Sequence, residues 1–253
     1  MTIYELAVAA LAACAAGAIN ALAGGGTLIS FPILIGLGVP PLAANVTNAV
    51  ALCPGYFGAT FAQRHNLHGQ RARLAWCIPA AVLGGLGGAY ALLRTGERVF
   101  TTLVPWMILF ASLLLAVQER VRALVISRLA RPAHAALPVS LAAVPVALAA
   151  LYGGFFSAGM SVIVLAALGL TLDDTLTRLN ALKQIAAFSI NVTAALFFLG
   201  SDQLVWSLLP AMAIGALVGG ALGGRLASRL DPAVLRWSVV AIGIAVAIIY
   251  FLK

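Results

Sequence analysis

Residues 3–38 read IYELAVAALAACAAGAINALAGGGTLISFPILIGLG, and the fold turns on where this stretch stops being apolar. Its first twenty residues, 3–22, are enough to cross a bilayer as a helix. The run ends on Gly24-Gly25-Gly26, and a second, short run at 27–38 follows before Pro40-Pro41. In hydrocarbon every backbone N–H and C=O needs a partner, so irregular backbone at depth persists only against protein or a wet cavity. A helix starting at such a break presents unpaired N–H groups and a positive dipole end, which suits an anion. A tight bend without a ligand is the plainer alternative.

The rest of the chain says which solvent surrounds this stretch. Of 253 residues 63% are hydrophobic and only 9% charged, with a mean hydropathy of +1.08. A soluble domain carries about a quarter charged residues, so most of this surface faces lipid. The length accommodates roughly ten spans of about 20 residues and leaves no room for a separate soluble domain. The apolar runs are continuous rather than alternating, which argues against an outer-membrane barrel. The first run lacks a basic leading segment and a cleavage site, and reads as a retained span.

The net charge of +8 sits largely in short loops, as the positive-inside rule expects, and does not indicate nucleic-acid binding. Cys14, Cys53 and Cys77 have no paired spacing and read as small apolar fillers. His65 and His68 lie in a basic loop and read as solvated. Nothing resembles a Walker loop, an HExxH helix or a catalytic triad, so neither enzyme chemistry nor a metal or cofactor is expected.

Further along, apolar runs cover 42–61, 74–93 and 99–117, separated by a basic loop at 64–73 and a polar turn at 94–98. Residues 118–134 are the most polar stretch and read as a linker. A second series follows: 137–156, the break Ser157-Ala158-Gly159-Met160-Ser161, a short run at 162–170, then 176–199, 205–227 and 235–252. Both series run long, short, long, Gly-rich, plain. The expected architecture is an all-α polytopic membrane protein of about ten helical segments in two five-segment repeats, with short helices after Gly24–Gly26 and Ser157–Ser161. The expected division is a first repeat at 1–117, a basic cytoplasmic linker at 118–136 and a second repeat at 137–253. Five spans separate equivalent points, so the repeats are inverted, a common transporter design. With the basic loops inside, both termini are periplasmic. The glycine pairs at Gly84 and Gly88 and at Gly215 and Gly219 are spaced for close helix packing, internal or in a homodimer.

Polar side chains inside the apolar runs mark a candidate site. Asn45, Thr47 and Asn48 fall within one turn of each other, and Asn180 and Lys183 occupy the corresponding stretch of the second series. An ammonium in a span costs a few kcal/mol unless paired or hydrated. Lys183 has three accounts: an anion site, snorkelling to the interface, or pairing with Asp173 or Asp174, which lie about 14 Å away along a straight helix. Asn20, Asn191 and Thr193 read as interhelical hydrogen-bonding groups.

At these residues the chain resembles the sulfite exporter TauE/SafE family of bacterial membrane permeases. The resemblance rests on Gly24-Gly25-Gly26-Thr27-Leu28, Phe31-Pro32, Leu37-Gly38-Val39-Pro40, Ala44-Asn45-Val46-Thr47-Asn48, Pro54-Gly55 and Gly58-Ala59. In the second half it rests on Gly153-Gly154-Phe155-Phe156, Ala158-Gly159 and Leu179-Asn180-Ala181-Leu182-Lys183. Met160 and Ser161 depart from the family's fuller glycine pattern. The resemblance implies an inner-membrane secondary transporter that uses no ATP and exports small sulfur-containing anions such as sulfite or organosulfonates. A channel or uniporter for other small anions or carboxylates is the alternative. No buried Asp or Glu chain marks a proton path, so proton coupling stays open. The expected substrate site gathers Gly24, Gly25, Gly26, Asn45, Thr47, Asn48, Ser157, Gly159, Ser161, Asn180 and Lys183 at the midplane, with amide donors and a Lys that suit an oxyanion.

Overall fold

A computed structural model describes residues 2–22, 25–130, 138–226 and 232–252. All its regular structure is helical. The helices are α1 (Ile3–Leu22), α2 (Thr27–Gly36), α3 (Pro41–Ala62), α4 (Arg71–Leu129), α5 (Ala143–Phe155), α6 (Met160–Thr171), α7 (Leu176–Phe198), α8 (Leu209–Leu226) and α9 (Pro232–Phe251). Short 3-10 turns at Arg64–Leu67 and Val139–Ala142 precede α4 and α5. Among the described residues α1, α4, α7 and α9 are long and apolar enough to cross a membrane.

α4 runs for 59 residues but is two helices, because Gly96 sits at φ 72°, ψ 160°. Only glycine takes such a backbone without strain. The ends of the two arms meet the same segment: Arg73 reaches Asp173 and Asp174, and Arg128 donates to the Gly169 carbonyl at 3.1 Å. The chain therefore doubles back at Gly96, inside the turn expected at 94–98. This fold-back makes ten helical segments among the described residues.

Two expectations need correction. The polar stretch after 117 is helical as far as Leu129; residues 131–137 lie outside the described residues. A helix need not stop where its apolar run stops, since Val125 still packs in the core beside Gly169 while Arg120 and Arg122 are exposed. The long run at 137–156 is a 13-residue helix behind a 3-10 turn, with Pro138 before that turn and Pro145 in the first turn of α5. Both helices flanking the second break are thus short.

Close backbone approaches set the packing. A Cβ added at Gly84 would strike α5 at Ala147, and one at Gly88 would strike it at Leu151. The first arm of α4 and α5 therefore run parallel. Gly159 faces Leu114 and Gly169 faces Val125, so α6 runs parallel to the second arm. Because the arms are antiparallel, α5 and α6 form a hairpin that returns to the side it came from. On the other flank Gly215, Gly219 and Gly223 of α8 meet Ala10, Cys14 and Ala18 of α1. In lipid such contacts act through packing rather than through water expulsion. The outer faces carry Leu11, Leu83, Leu148, Leu196, Ile214 and Ile248, with Trp76, Trp106, Trp206 and Trp237 also exposed. A surface this apolar requires a bilayer.

The core is in two parts. One gathers α1, α2, α3, the second arm of α4 and α9 around Phe31, Phe100 and Phe156. The other gathers the first arm, α5, α6 and α7 around Met160, Leu168 and Leu179. Tyr56 and Tyr152 pack against both.

Candidate functional site

The first break is held by its own preceding helix. Asn20 Oδ1 accepts a hydrogen bond from the Gly26 N–H at 2.8 Å, so one orphan donor at the start of α2 is satisfied by a side chain six residues back. Gly25 takes φ 85°, and Gly26 lies so close to α1 that any Cβ would collide with the Ala16 carbonyl. Gly24 lies outside the described residues. The sequence showed the glycines but not the role of Asn20, which reads there as an ordinary interhelical polar group.

The second break is built with different parts. Phe156 is extended at φ −150°, ψ 106°, and Gly159 takes φ 75° immediately before α6. Tyr152 Oη donates to the Ala158 carbonyl at 2.7 Å. Ser161, in the first turn of α6, is half-buried and makes no side-chain hydrogen bond among the described residues. Neither α2 nor α6 has a side-chain cap at its N-terminus.

The two breaks touch. Thr27 Oγ1 and Ser157 Oγ are 3.1 Å apart, and the Phe31 and Phe156 rings meet edge to face at 5.5 Å. From this point the short helices lead to opposite ends of the α4 hairpin. α2 leads to α3, whose Leu42 N–H reaches the Glu97 carboxylate beside the Gly96 bend at 3.2 Å. α6 leads to Asp174, which meets Arg73 at the other end. Thr27 was not among the expected site residues; its signal was a hydroxyl placed directly after the glycines.

α3 brings the amides. Asn45 Nδ2 donates to the Phe155 carbonyl at 2.9 Å, tying α3 to the second break. Thr47 Oγ1 accepts from the Val205 N–H at 3.0 Å, so its hydroxyl supports the segment before α8. Asn48, one turn beyond Asn45, is fully buried, and neither polar atom of its amide has a partner among the described residues. A buried amide without a partner costs on the order of 1–3 kcal/mol, and each such group in a folded protein calls for an explanation.

Asn180 and Lys183 form a separate group. They share a face of α7 with Leu176, at helical spacings of four and seven. Neither has a hydrogen bond or ion pair among the described residues, and none links them to the breaks. Asp174 cannot serve Lys183, because Arg73 and Arg178 already hold it. Among the described residues no group of three or more His, Cys, Asp or Glu side chains could hold a metal.

The breaks bring together two helix starts without side-chain caps and the Thr27 and Ser157 hydroxyls, groups that can donate to a ligand.

Known proteins resemble this chain over most of its length. A "Probable membrane transporter protein" of Haemophilus influenzae is 25% identical over 88% of this chain and 85% of its own. "Probable membrane transporter protein ORF9" of Sinorhizobium is 24% identical over 98% and 93%. "Probable membrane transporter protein YfcA" of Escherichia coli K12 is 25% identical over 94% and 86%. No solved structure is significantly similar to the chain. Residues 9–250 match the family described as "Sulfite exporter TauE/SafE", and the chain belongs to that family of membrane transporters.

Proposed function

We propose that this protein is an inner-membrane secondary transporter that exports small sulfur-containing anions, sulfite or organosulfonates, by alternating access. The observation that carries the proposal is the Thr27–Ser157 contact, which joins two helix starts without side-chain caps, with the unpartnered amide of Asn48 one turn of α3 beyond the Asn45 bond to the second break. Irregular backbone at membrane depth is the usual place for a transporter site, because the freed backbone groups and the ligand satisfy each other. An oxyanion there would accept from Asn48 and from the helix starts, and would replace the Thr27–Ser157 bond with bonds of its own.

The opposed directions of α2 and α6 support two inverted repeats that meet at the site. Rocking of one repeat against the other would open the breaks to either side in turn. The positive-inside rule, applied to the basic loops, supports a cytoplasmic 64–70 turn and periplasmic termini. A proton is the coupling ion to test first.

The test is sulfite and ethanesulfonate flux in proteoliposomes, beside direct binding to the purified protein. Asn48→Ala should lose at least tenfold in affinity while staying monodisperse, and Thr27→Val should do the same. Undiminished binding of both anions by both variants would sink the site. Flux of carboxylates with exclusion of sulfur anions would overturn the substrate class.

A further inference from the structure

One turn of α4 touches both breaks, and the next is not fully paired. Leu115 packs against Gly25 of the first break, and Leu114 beside it packs against Gly159 of the second. A helical turn further toward Leu129, on the same faces, lie Gln118 and Glu119. The Gln118 amide oxygen is buried without a partner among the described residues. Glu119 Oε1 accepts from Arg236 Nη1 of α9 at 2.8 Å. The same two helices touch nearer the breaks, where a Cβ added at Gly243 would strike Ser112 and stand 3.6 Å from Leu28 of α2. Ser112 to Glu119 and Gly243 to Arg236 are equal steps in opposite directions along the chain. α9 therefore runs antiparallel to this arm and sets the Arg236 guanidinium just beyond the turn that faces the breaks.

The ion pair is lopsided. Arg236 is only 7% exposed, whereas the Glu119 side chain is 50% exposed. A guanidinium fits a carboxylate best as a fork, through two N–H groups. Here one N–H makes the bond, and the Nε–H is buried with no partner among the described residues. The cost of taking a guanidinium out of water is offset only where its remaining hydrogen bonds are made. The neighbouring carboxylates are committed elsewhere, Asp174 to Arg73 and Arg178 and Glu97 to the Leu42 N–H. The seat at Arg236 is thus filled in part, by a carboxylate that stands on a flexible, solvent-facing arm.

We propose that Arg236 is an anion-binding residue on the approach to the breaks, with Glu119 as its tethered occupant, displaced when a small oxyanion arrives. Sulfite or a sulfonate carries several oxygens on one centre and can engage Nε–H and an Nη–H together, which Glu119 does not. The exchange leaves the buried cation paired throughout, and the displaced carboxylate moves into solvent that it already touches. It also releases α9 from α4 on the side where both ends of the α4 hairpin lie. The place of Arg236 on an export path rests on the transport reading above; anion binding at Arg236 does not.

The test uses the tether itself. In a full chain carrying Cys14→Ala, Cys53→Ala and Cys77→Ala, Glu119→Cys removes the occupant and puts a thiol in its place. Its reaction with a sulfonate-bearing and a trimethylammonium-bearing methanethiosulfonate reagent is timed in detergent, each rate normalised to that of a free thiol. The sulfonate reagent should be favoured on the order of tenfold, and Arg236→Gln should remove most of that preference. Sulfate, with ionic strength held constant by gluconate, should slow the sulfonate reagent to a saturating limit, and choline should not. That protection should persist in Asn48→Ala, which disables the central site. Equal normalised rates would overturn the proposal. So would sulfate protection that is absent, unsaturable, indifferent to Arg236→Gln or lost in Asn48→Ala. Protection by phosphatidylglycerol and not by sulfate would overturn it too, in favour of a lipid headgroup seat. If Glu119→Cys or Arg236→Gln does not fold, Glu119→Asp decides, because it keeps the charge on a shorter arm. Sulfate should raise its melting temperature more than that of the native chain, and equal rises would overturn the proposal. None of these outcomes depends on flux, so anion binding at Arg236 and the transport reading fail separately.

Discussion

The two breaks do one job with different materials. The first is closed mainly by backbone: Gly26 lies against the Ala16 carbonyl, and the Asn20 side chain only takes its N–H. The second is closed by side chains: a Cβ added at Gly159 would stand 3.2 Å from Leu114 Cδ1, and the Tyr152 hydroxyl holds Ala158. Backbone cannot step aside, whereas a leucine changes rotamer. The first break is therefore the fixed wall of the site and the second the adjustable one.

The sharpest way to break that comparison is a methyl group on each side. Gly26→Ala drives a Cβ into the backbone of α1 and should cost about 3 kcal/mol or prevent folding. Gly159→Ala pays for a left-handed backbone and a small shift of Leu114, together about 1–2 kcal/mol. Thermal unfolding in detergent measures both. Equal costs would remove the distinction between wall and adjustable side.

The braces sharpen it further. Asn20→Ala leaves the Gly26 N–H unpaired at depth and should cost about 2 kcal/mol. Tyr152→Phe leaves a carbonyl short of a donor, a milder fault of about 1 kcal/mol. The same melts decide it, and a reversed order would place the rigid brace on the second break. Asn48→Val works in the opposite direction. It removes an unpartnered buried amide and should raise the stability of the ligand-free protein by roughly 1 kcal/mol. Anion binding, followed by calorimetry, should fall below detection. A destabilised variant would mean that the Asn48 amide has a structural task.

How much of this the sequence disclosed depends on the distance over which each feature is set. Both breaks were legible, because an interrupted apolar run is local and glycine at φ 85° or 75° leaves a visible residue. The fold-back at Gly96 was legible for the same reason. The 118–129 helix was not, since hydropathy records where lipid ends rather than where hydrogen bonds end. The 13-residue length of α5 was hidden by an apolar 3-10 turn that reads like a continued span. Within the site, residue types were readable and partnerships were not. Asn45, Thr47 and Asn48 look alike in the sequence, yet one binds the Phe155 carbonyl, one the Val205 N–H and one nothing.

The outer ends of the two short helices repeat the contrast at lower energy. After α2, Glu97 of α4 accepts the Leu42 N–H with both carboxylate oxygens, at 3.2 and 3.3 Å. After α6 the anchor is ionic: Arg73 of α4 and Arg178 share the Asp174 carboxylate, which also takes the Thr175 N–H at 2.7 Å. Burial pushes the Asp174 carboxyl up, but the Arg178 hydrogen bond, the Thr175 N–H and Arg73 outweigh it and hold it below the ordinary 3.8. A depressed folded-state pKa means that this contribution is complete above the ordinary carboxylate value. It is lost as the pH falls through the folded one. Acidification from pH 6 to below 4 should therefore loosen the α6–α7 end, read as faster amide exchange at 173–178. Asp174→Asn should show that faster exchange already at neutral pH, with an effect smaller than any above because the pair is partly solvated. Glu97→Gln keeps an acceptor for Leu42 and should leave the α2–α3 end nearly unchanged. If Glu97→Gln loosens its end as much as Asp174→Asn does, both anchors depend on charge, and the contrast between the breaks does not extend to the membrane surface.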